Sequence, residues 1–496
     1  MMTHTTVFQT VVIGAGSGGL TVAVGLAALG RPVALIEGAA VGGDCTNVGC
    51  IPSKTLIHES GSRSGGAAAI LATVQRKRDH LRAEETRHVQ QMEYLTFIHG
   101  WAHFLGPKRL EVIHADGSRR EISAQTIVIA TGSRARTMEI PGLPRERLLT
   151  NESIFELTDA PHHLAIVGAG VIAMELAFAF RKLGSRVTII SRDRRVFARG
   201  GAAASEVLAA SLREQGIAVR YGATVTRYDP TDETLYLTAG DGADVVLGVD
   251  HVLLAIGRVR NIDQLGLEQT GVRFSLDSGV EVDSYGQTNM PGIYAIGDVT
   301  PTSHWTHSAG AQGRRVVQRI LFPWLPAWGQ EPLYPSATFS DPEVASVGLT
   351  PDQIARRYHP GLIKTLRVEL SATDKGYTEG LRRGFIHVYA LRLTGRILGA
   401  TIVGPRASEM ISLFTLAISA RISLYRLYRL VYPYPTHSTG IQALADTFVR
   451  ETLPHLPAEL GAVARYGLAT IWGRLRGGSF EAVPQPDRKL AGAVGD

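Results

Sequence analysis

Cysteine is nearly absent: the 496 residues hold only two. A secreted scaffold stapled by disulfides is thereby excluded. An all-cysteine zinc site is excluded too, because it needs more thiolates than the chain owns, and no other metal site is expected. A strong charge imbalance is also missing. There are 51 Lys+Arg against 45 Asp+Glu, giving +6 and a sequence pI near 9.3, and no dense basic run is interleaved with aromatics. The balance slightly favours anionic small molecules and argues against a nucleic-acid partner. The apolar stretch from Val11 to Ile36 is interrupted by Gly14, Gly16, Gly18, Gly19, Gly25 and Gly30, carries Arg31 and Pro32, and lacks a preceding basic segment. It is therefore expected to be neither a leader nor a membrane span, and a reducing cytoplasmic setting is expected.

Glycine, by contrast, is abundant: 54 of the 496 residues, about 11% against a usual figure near 7%. Without a collagen period, that excess points to tight turns and to backbone that approaches a ligand closely. Charged residues at 19% and hydrophobic residues at 45% exclude disorder over most of the length.

Two stretches look alike. One runs from Thr10 through VVIGAGSGGL to VALIEG, the other from His163 through LAIVGAGVIAMEL to VTIISR. Each reads as a β-branched strand, a glycine turn, a helix of about thirteen residues and a second strand, which is a βαβ unit. Gly168 repeats Gly14 after 154 residues, a domain-sized period. The expected fold is α/β, with two Rossmann-like dinucleotide-binding domains and a C-terminal α+β dimerisation domain. The expected boundaries are 1–150 with a return at 287–330, then 151–286, then 331–455, and a tail at 456–496. Further expectations are a helix at His80–Tyr94, strands at Leu110–His114 and Thr126–Ala130, and a helix at Trp305–Ile320. Antiparallel strands are expected at Phe385 and Ile397, with helices at Glu409–Tyr425 and Thr439–Thr452. The tail reads as an amphipathic helix at Leu460–Leu475, followed by a disordered end.

The first fingerprint is Gly14-x-Gly16-x-x-Gly19, with Glu37 following 23 residues after Gly14. Its glycines let backbone amides approach a pyrophosphate at a helix N-terminus, and the acid accepts from ribose hydroxyls. In the second, Gly168-x-Gly170-x-x-Ala173, the same count reaches Ser191, and Arg192, Arg194 and Arg195 follow. An acid there would repel a 2′-phosphate and arginines would pair with it, so NADPH is expected, with NADH as the alternative.

Between Glu37 and the next helix lies Gly42-GDCTNVGCIPSK. Cys45 and Cys50 are separated by a turn containing Gly49, close enough for disulfide geometry. Pro52 suits a helix's first turn, so Cys50 sits at the positive end of a helix dipole, where a thiolate is stabilised. Lys54, at i+4, projects on the same side. A nucleotide fold leading into a cysteine pair implies electron transfer between a bound flavin and a dithiol.

On these motifs, residues 7 to 452 resemble the pyridine nucleotide–disulfide oxidoreductases, the flavoproteins that include dihydrolipoamide dehydrogenase, glutathione reductase and mercuric reductase. The resemblance implies FAD, a homodimer with a shared active site and a small-molecule acceptor. It also implies residue roles. Cys45 would attack substrate and Cys50 would face the flavin. Lys54, paired with Glu175, would contact the flavin, as would Asp298 at the ribityl chain, Ala102 at the adenine, the Thr131–Gly132 turn, and Thr306–His307. Gly257–Arg258 would lie beside the nicotinamide cofactor.

Two departures stand out. The disulfide reductases carry His-Pro-Thr-x-x-Glu, whose histidine is the base in thiol exchange, whereas this chain reads Tyr434-Pro435-Thr436-His437-Ser438-Thr439. His437 reads as an ordinary helix-start residue. The C-terminal cysteine pair of mercuric reductases is missing; Cys50-IPSK resembles both the lipoamide and the mercuric members, and the chain sits nearest the mercuric branch in its aromatic Tyr434 and in Leu183-GSRVTIISR. The reading is therefore a mercuric reductase-like NAD(P)H oxidoreductase. Its alternatives are a dihydrolipoamide dehydrogenase using NAD, and a redox-sensing or scaffold flavoprotein whose tail, with Trp472, docks on a protein or membrane.

Overall fold

A computed structural model describes residues 6–61, 65–240, 242–301, 305–325 and 333–475. The chain divides into two compact units, residues 1–196 with 215–332, and residues 197–214 with 333–496.

The first unit is built on two largely parallel sheets. In the N-terminal one, β1 (Thr6–Ile13), β2 (Val33–Glu37), β3 (Leu95–His99), β4 (Trp101–Gly106), β5 (Arg109–Ile113) and β6 (Arg119–Ile129) lie in the order β3-β2-β1-β6-β5-β4, and Ile293–Ala295 also pairs with β6. Val11 and Val12 are fully buried, as expected for a parallel strand covered on both faces. The register sets Ile13 against Ile36, so the glycine turn after β1 and the acid ending β2 emerge side by side. The chain's return at 293–295 is parallel to β6 and leads into α7 (Thr306–Leu321), which packs on α1 (Ser17–Ala28).

The short helix α2 (Gly43–Asn47), α3 (Cys50–Gly61) and the long α4 (Ala67–Gln91) follow β2. The helix expected at His80–Tyr94 starts thirteen residues earlier, because Ile70, Leu71 and Val74 give its alanine-rich first half a buried face. The second sheet orders Ala218–Tyr221, Arg186–Ser191, His163–Val167, His251–Leu254 and Leu148–Leu149, all parallel. Its helix α5 (Val171–Lys182) follows the second fingerprint. A three-stranded antiparallel meander at 224–248 was not anticipated.

The second unit is a five-stranded antiparallel sheet, ordered Ser336–Thr338, Val344–Gly348, Ile397–Val403, Phe385–Leu391 and Ile363–Glu369. Its core joins Ile386, Val388 and Ile402 of the sheet to Phe414, Leu444 and Phe448 of the helices. The helices are α8 (Pro351–Ala355), α9 (Asp374–Thr378), α10 (Ala407–Ser419), α11 (Leu424–Tyr428), α12 (Thr439–Thr452) and α13 (Leu456–Leu475), together with α6 (Ala202–Glu214). The single helix expected at Glu409–Tyr425 is two, α10 and α11, divided where Arg421 takes φ +54, a conformation no helix interior admits.

The tail helix begins at Leu456 rather than Leu460. It is fastened by Glu459, which pairs with Lys364 at 3.0 Å and Arg392 at 3.0 Å, and by Tyr466 stacked on His359 at 4.5 Å. The Trp472 side chain and the end from residue 476 lie outside the described residues. No described helix is long and apolar enough to cross a membrane.

Candidate active site

The first fingerprint has the geometry its glycines demand. Gly14 takes φ +102, and a Cβ there would meet the Ala130 carbonyl oxygen at 2.4 Å; at Gly19 it would meet the Gly14 oxygen at 1.8 Å. Gly16 precedes α1, which has no side-chain cap and no acid in its first turn, so its free N–H groups and dipole suit an anion. Glu37 Oε2 accepts from Ala15 N at 2.6 Å and Oε1 from Ala39 N at 2.8 Å, which ties the acid to the fingerprint turn. Ala102 is half-buried on β4. At the Gly42–Asn47 segment that follows, Asn47 Oδ1 and Glu85 Oε2 are buried acceptors without partners. A dinucleotide such as FAD fits these groups: uncapped amides for its pyrophosphate, a close backbone approach, and acceptors for its hydroxyls.

The turn after β6 is held by Asn261, just ahead of a segment (Ile262, Leu265, Leu267) that packs into the core of the N-terminal sheet. Thr131 Oγ1 donates to Asn261 O at 2.6 Å, and Asn261 Nδ2 donates to Thr131 O at 3.0 Å, with Gly132 at φ +69. Ser133 Oγ donates to Asp298 Oδ2 at 2.5 Å. Gly257, at φ +111, accepts from Arg136 N at 3.0 Å.

The redox loop lies against the fingerprint: a Cβ on Gly43 would sit 2.7 Å from the Gly16 Cα. Cys45 lies in α2, and Cys50 is the first residue of α3. Both are free thiols. Cys50 Sγ is 3.2 Å from Thr306 Oγ1, and one turn along, Lys54 Nζ meets Glu175 Oε2 at 2.7 Å. Glu175 is only 4% exposed, so its ion pair with Lys54 offsets part of the cost of that burial.

The two thiols diverge. The hydrogen bond from Cys45, then that from Thr306 and the charge of Lys54, bring Cys50 down to about 6 against its burial. Cys45 is pushed up by its hydrogen bond to Cys50 and then by burial. At neutral pH the reduced pair is a Cys50 thiolate beside a Cys45 thiol. The sequence predicts a lowered Cys50 from its place at a helix N-terminus; the structure adds the Cys45 and Thr306 hydrogen bonds and the charge of Lys54, in that order.

The second fingerprint repeats the first. A Cβ on Gly168 would meet the Ala255 oxygen at 2.3 Å, while Gly170 faces open space and Ala173 is fully buried. Ser191 is buried and its Oγ accepts from Asp193 N at 3.1 Å. Arg192, Arg194 and Arg195 are exposed.

In the second unit, Tyr434 is 73% exposed. Its hydroxyl donates to Asp374, and that bond, then the carboxylate's charge, raises its pKa. Thr439 Oγ1 donates to Thr436 O at 2.6 Å. His437 lies at the start of α12, where the sequence expects a helix-start residue, and it also has a carboxylate partner. It is 5% exposed, precedes α12, and places Nε2 2.9 Å from Glu379 Oε2, with Nδ1 buried and unpartnered. Sequence reasoning missed Glu379, because no local motif links residues 58 positions apart. Among the described residues no group of three or more His, Cys, Asp or Glu could hold a metal.

Residues 8–313 match the family described as pyridine nucleotide-disulphide oxidoreductase, and residues 334–445 match its dimerisation domain, which indicates a homodimer. The chain is 34% identical over 463 residues to dihydrolipoyl dehydrogenase 3 of Pseudomonas aeruginosa, covering 88% of this chain and 97% of that one. It is 32% identical over 461 residues to mercuric reductase of Acidithiobacillus ferrooxidans, covering 88% and 82%. Among solved structures, the HOCl-induced flavoprotein disulfide reductase RclA from Escherichia coli is 27% identical with a TM-score of 0.80, covering 88% of this chain and 99% of that one.

Proposed function

The chain belongs to the pyridine nucleotide-disulphide oxidoreductase family, and from that premise we propose that it passes electrons from NADPH, by way of bound FAD, to the Cys45–Cys50 pair and on to a small acceptor, in the manner of mercuric reductase-like members. Residues 1–150 and 287–330 would bind FAD, residues 151–286 the nicotinamide nucleotide, and residues 331–455 the second copy. The observation that carries the reading is the convergence of Cys45, Cys50, Thr306 and the Lys54–Glu175 pair on one loop beside a dinucleotide turn.

Bound FAD supplies the two-electron exchange between nicotinamide and dithiol. The chain's own residues set the protonation of that dithiol. Lys54 and Thr306 stabilise Cys50 as thiolate, and Cys45 keeps the remaining proton. To attack a disulfide acceptor, Cys45 must lose that proton. Its sulfur then forms a mixed disulfide and releases one acceptor thiolate. Cys50 thiolate next attacks Cys45 sulfur, which releases the second acceptor thiolate and re-forms the Cys45–Cys50 bond. The acceptor thus gains the two electrons the pair loses. A proton-accepting group beside Cys45 governs the first step. Tyr434, bonded to Asp374 and shifted away from neutrality, is poorly suited to that work.

The test is a thiol count. Denatured after oxidation in air, the protein should show no titratable thiol; after one equivalent of NADPH under anaerobic conditions it should show two. An unchanged count, with the flavin nonetheless reduced, would leave the cysteines out of the electron path and defeat the reading.

A further inference from the structure

The last helix, α13, lies beyond the dimerisation match, which ends at residue 445, and its sides differ in character. One side is fastened to the second unit. Glu459, the only acid in the helix, is buried and pairs with Lys364 and Arg392, both at 3.0 Å. Seven residues on, and so on the same side, Tyr466 stacks on His359. It also lies so close to Gly361 that a Cβ added there would run into its ring.

The other side is apolar and uncovered. Leu456 is 40% exposed and Leu460 51%, and Ala464 is exposed as well. In the sequence the same step continues to Leu468, Ile471 and Leu475, a spacing that draws one stripe along a helix. Charge decides what fits that stripe. From Leu460 to Gly478 the sequence holds Arg465, Arg474, Arg476 and Trp472 and no acid, while Glu459 is already neutralised on the fastened side. A second copy of the helix laid against the stripe would set arginine near arginine with no carboxylate to pair them. An anionic membrane surface suits both features: leucines enter the acyl boundary and arginines are drawn to the headgroup phosphates. No described helix is long and apolar enough to cross a membrane, so α13 would lie in the plane of the surface.

We propose that α13 is an amphipathic docking surface that seats the protein on anionic phospholipid, with Leu456 and Leu460 entering the acyl boundary. The fastened side makes the seat rigid: Glu459 and Tyr466 hold the helix to the second unit, so the stripe is presented without folding first. The inference goes beyond the electron path and does not depend on it.

The experiment is co-sedimentation of the full chain with vesicles, made either of phosphatidylcholine alone or of equal parts phosphatidylcholine and phosphatidylglycerol. The unaltered chain should pellet with the anionic vesicles and stay in solution with the neutral ones, and added salt should weaken the binding. Leu456→Ser with Leu460→Ser should lower the partition constant by about tenfold or more. Arg465→Gln with Arg474→Gln should lower it by about tenfold. Both pairs lie outside the electron path, so each variant should keep the parent's rate of flavin reduction by NADPH, which shows it folded; if the leucine pair does not fold, the arginine pair carries the test. The inference is overturned if the unaltered chain stays in solution with both vesicles, if neutral vesicles bind it as well as anionic ones, or if the folded variants bind as tightly as the parent. It is overturned too if the chain ignores vesicles but assembles beyond a dimer without lipid, and the leucine pair abolishes that assembly; α13 would then meet a second copy.

Discussion

At the scale of single residues, the site works by splitting two chemically identical thiols. Cys50 is brought to about 6 by the Cys45 hydrogen bond, the Thr306 hydroxyl and the Lys54 charge, and Cys45 is pushed the other way. Replacing Lys54 by Met removes a cation that lowers Cys50 and takes from Glu175 its 2.7 Å ion pair. Both changes disfavour a thiolate, so Cys50 should titrate about one pH unit higher, read from thiolate absorbance near the ultraviolet edge in the reduced protein. An unmoved titration would remove Lys54 from the account.

Tyr434 is the second residue that decides something. A group near or above 10 is a weak base at neutral pH, and general-base catalysis contributes about 10²–10⁴ in rate. Lipoamide and glutathione disulfide should therefore turn over slowly while NADPH reduces the flavin quickly. Tyr434→His combined with Thr439→Glu should raise the disulfide rate by at least about tenfold. A parent enzyme already turning over lipoamide at hundreds per second would contradict this and turn attention to the His437–Glu379 pair.

At the scale of elements, the glycine fingerprints were readable because their constraint is local: a strand, a turn with positive φ and a helix within a few residues. The Lys54–Glu175 pair was readable only through resemblance. The contact of His437 with Glu379 was not readable at all, since sequence spacing carries no record of which loops the sheet brings together. Secondary structure failed where packing overrode pattern, as at the early start of α4 and the α10–α11 break.

Two predictions belong to this scale. Ser191 and the exposed arginines after Arg186–Ser191 should make NADPH the faster reductant in stopped-flow measurement, and Arg192→Glu should shift the preference toward NADH by about tenfold; NADH preferred by the parent protein would refute it. In the tail helix, Glu459→Ala leaves Lys364, 8% exposed in its side chain, without its carboxylate. Breaking such a pair costs about 3–5 kcal/mol, so thermal unfolding should begin several degrees lower. An unchanged melting profile would mean that α13 contributes nothing to the fold of the second unit.

At the scale of the whole molecule, the proposed relay draws on two nucleotide folds of like form, a dithiol loop on the first, and a dimerisation domain matched at residues 334–445. The acceptor is left open by the dithiol itself, which can reduce a disulfide or another two-electron acceptor. The central claim is that the reduced pair presents Cys50 as a thiolate to bound flavin. Its most direct measurement is the long-wavelength absorption band of the two-electron-reduced protein, followed from pH 8 to pH 4. Because a thiolate persists only above its pKa, the band should be present at neutral pH, fade with a midpoint of about 6 as pH falls, and be missing in Cys50→Ser with FAD still bound. A band that survives Cys50→Ser, or one that never forms on reduction with NADPH, would contradict the account.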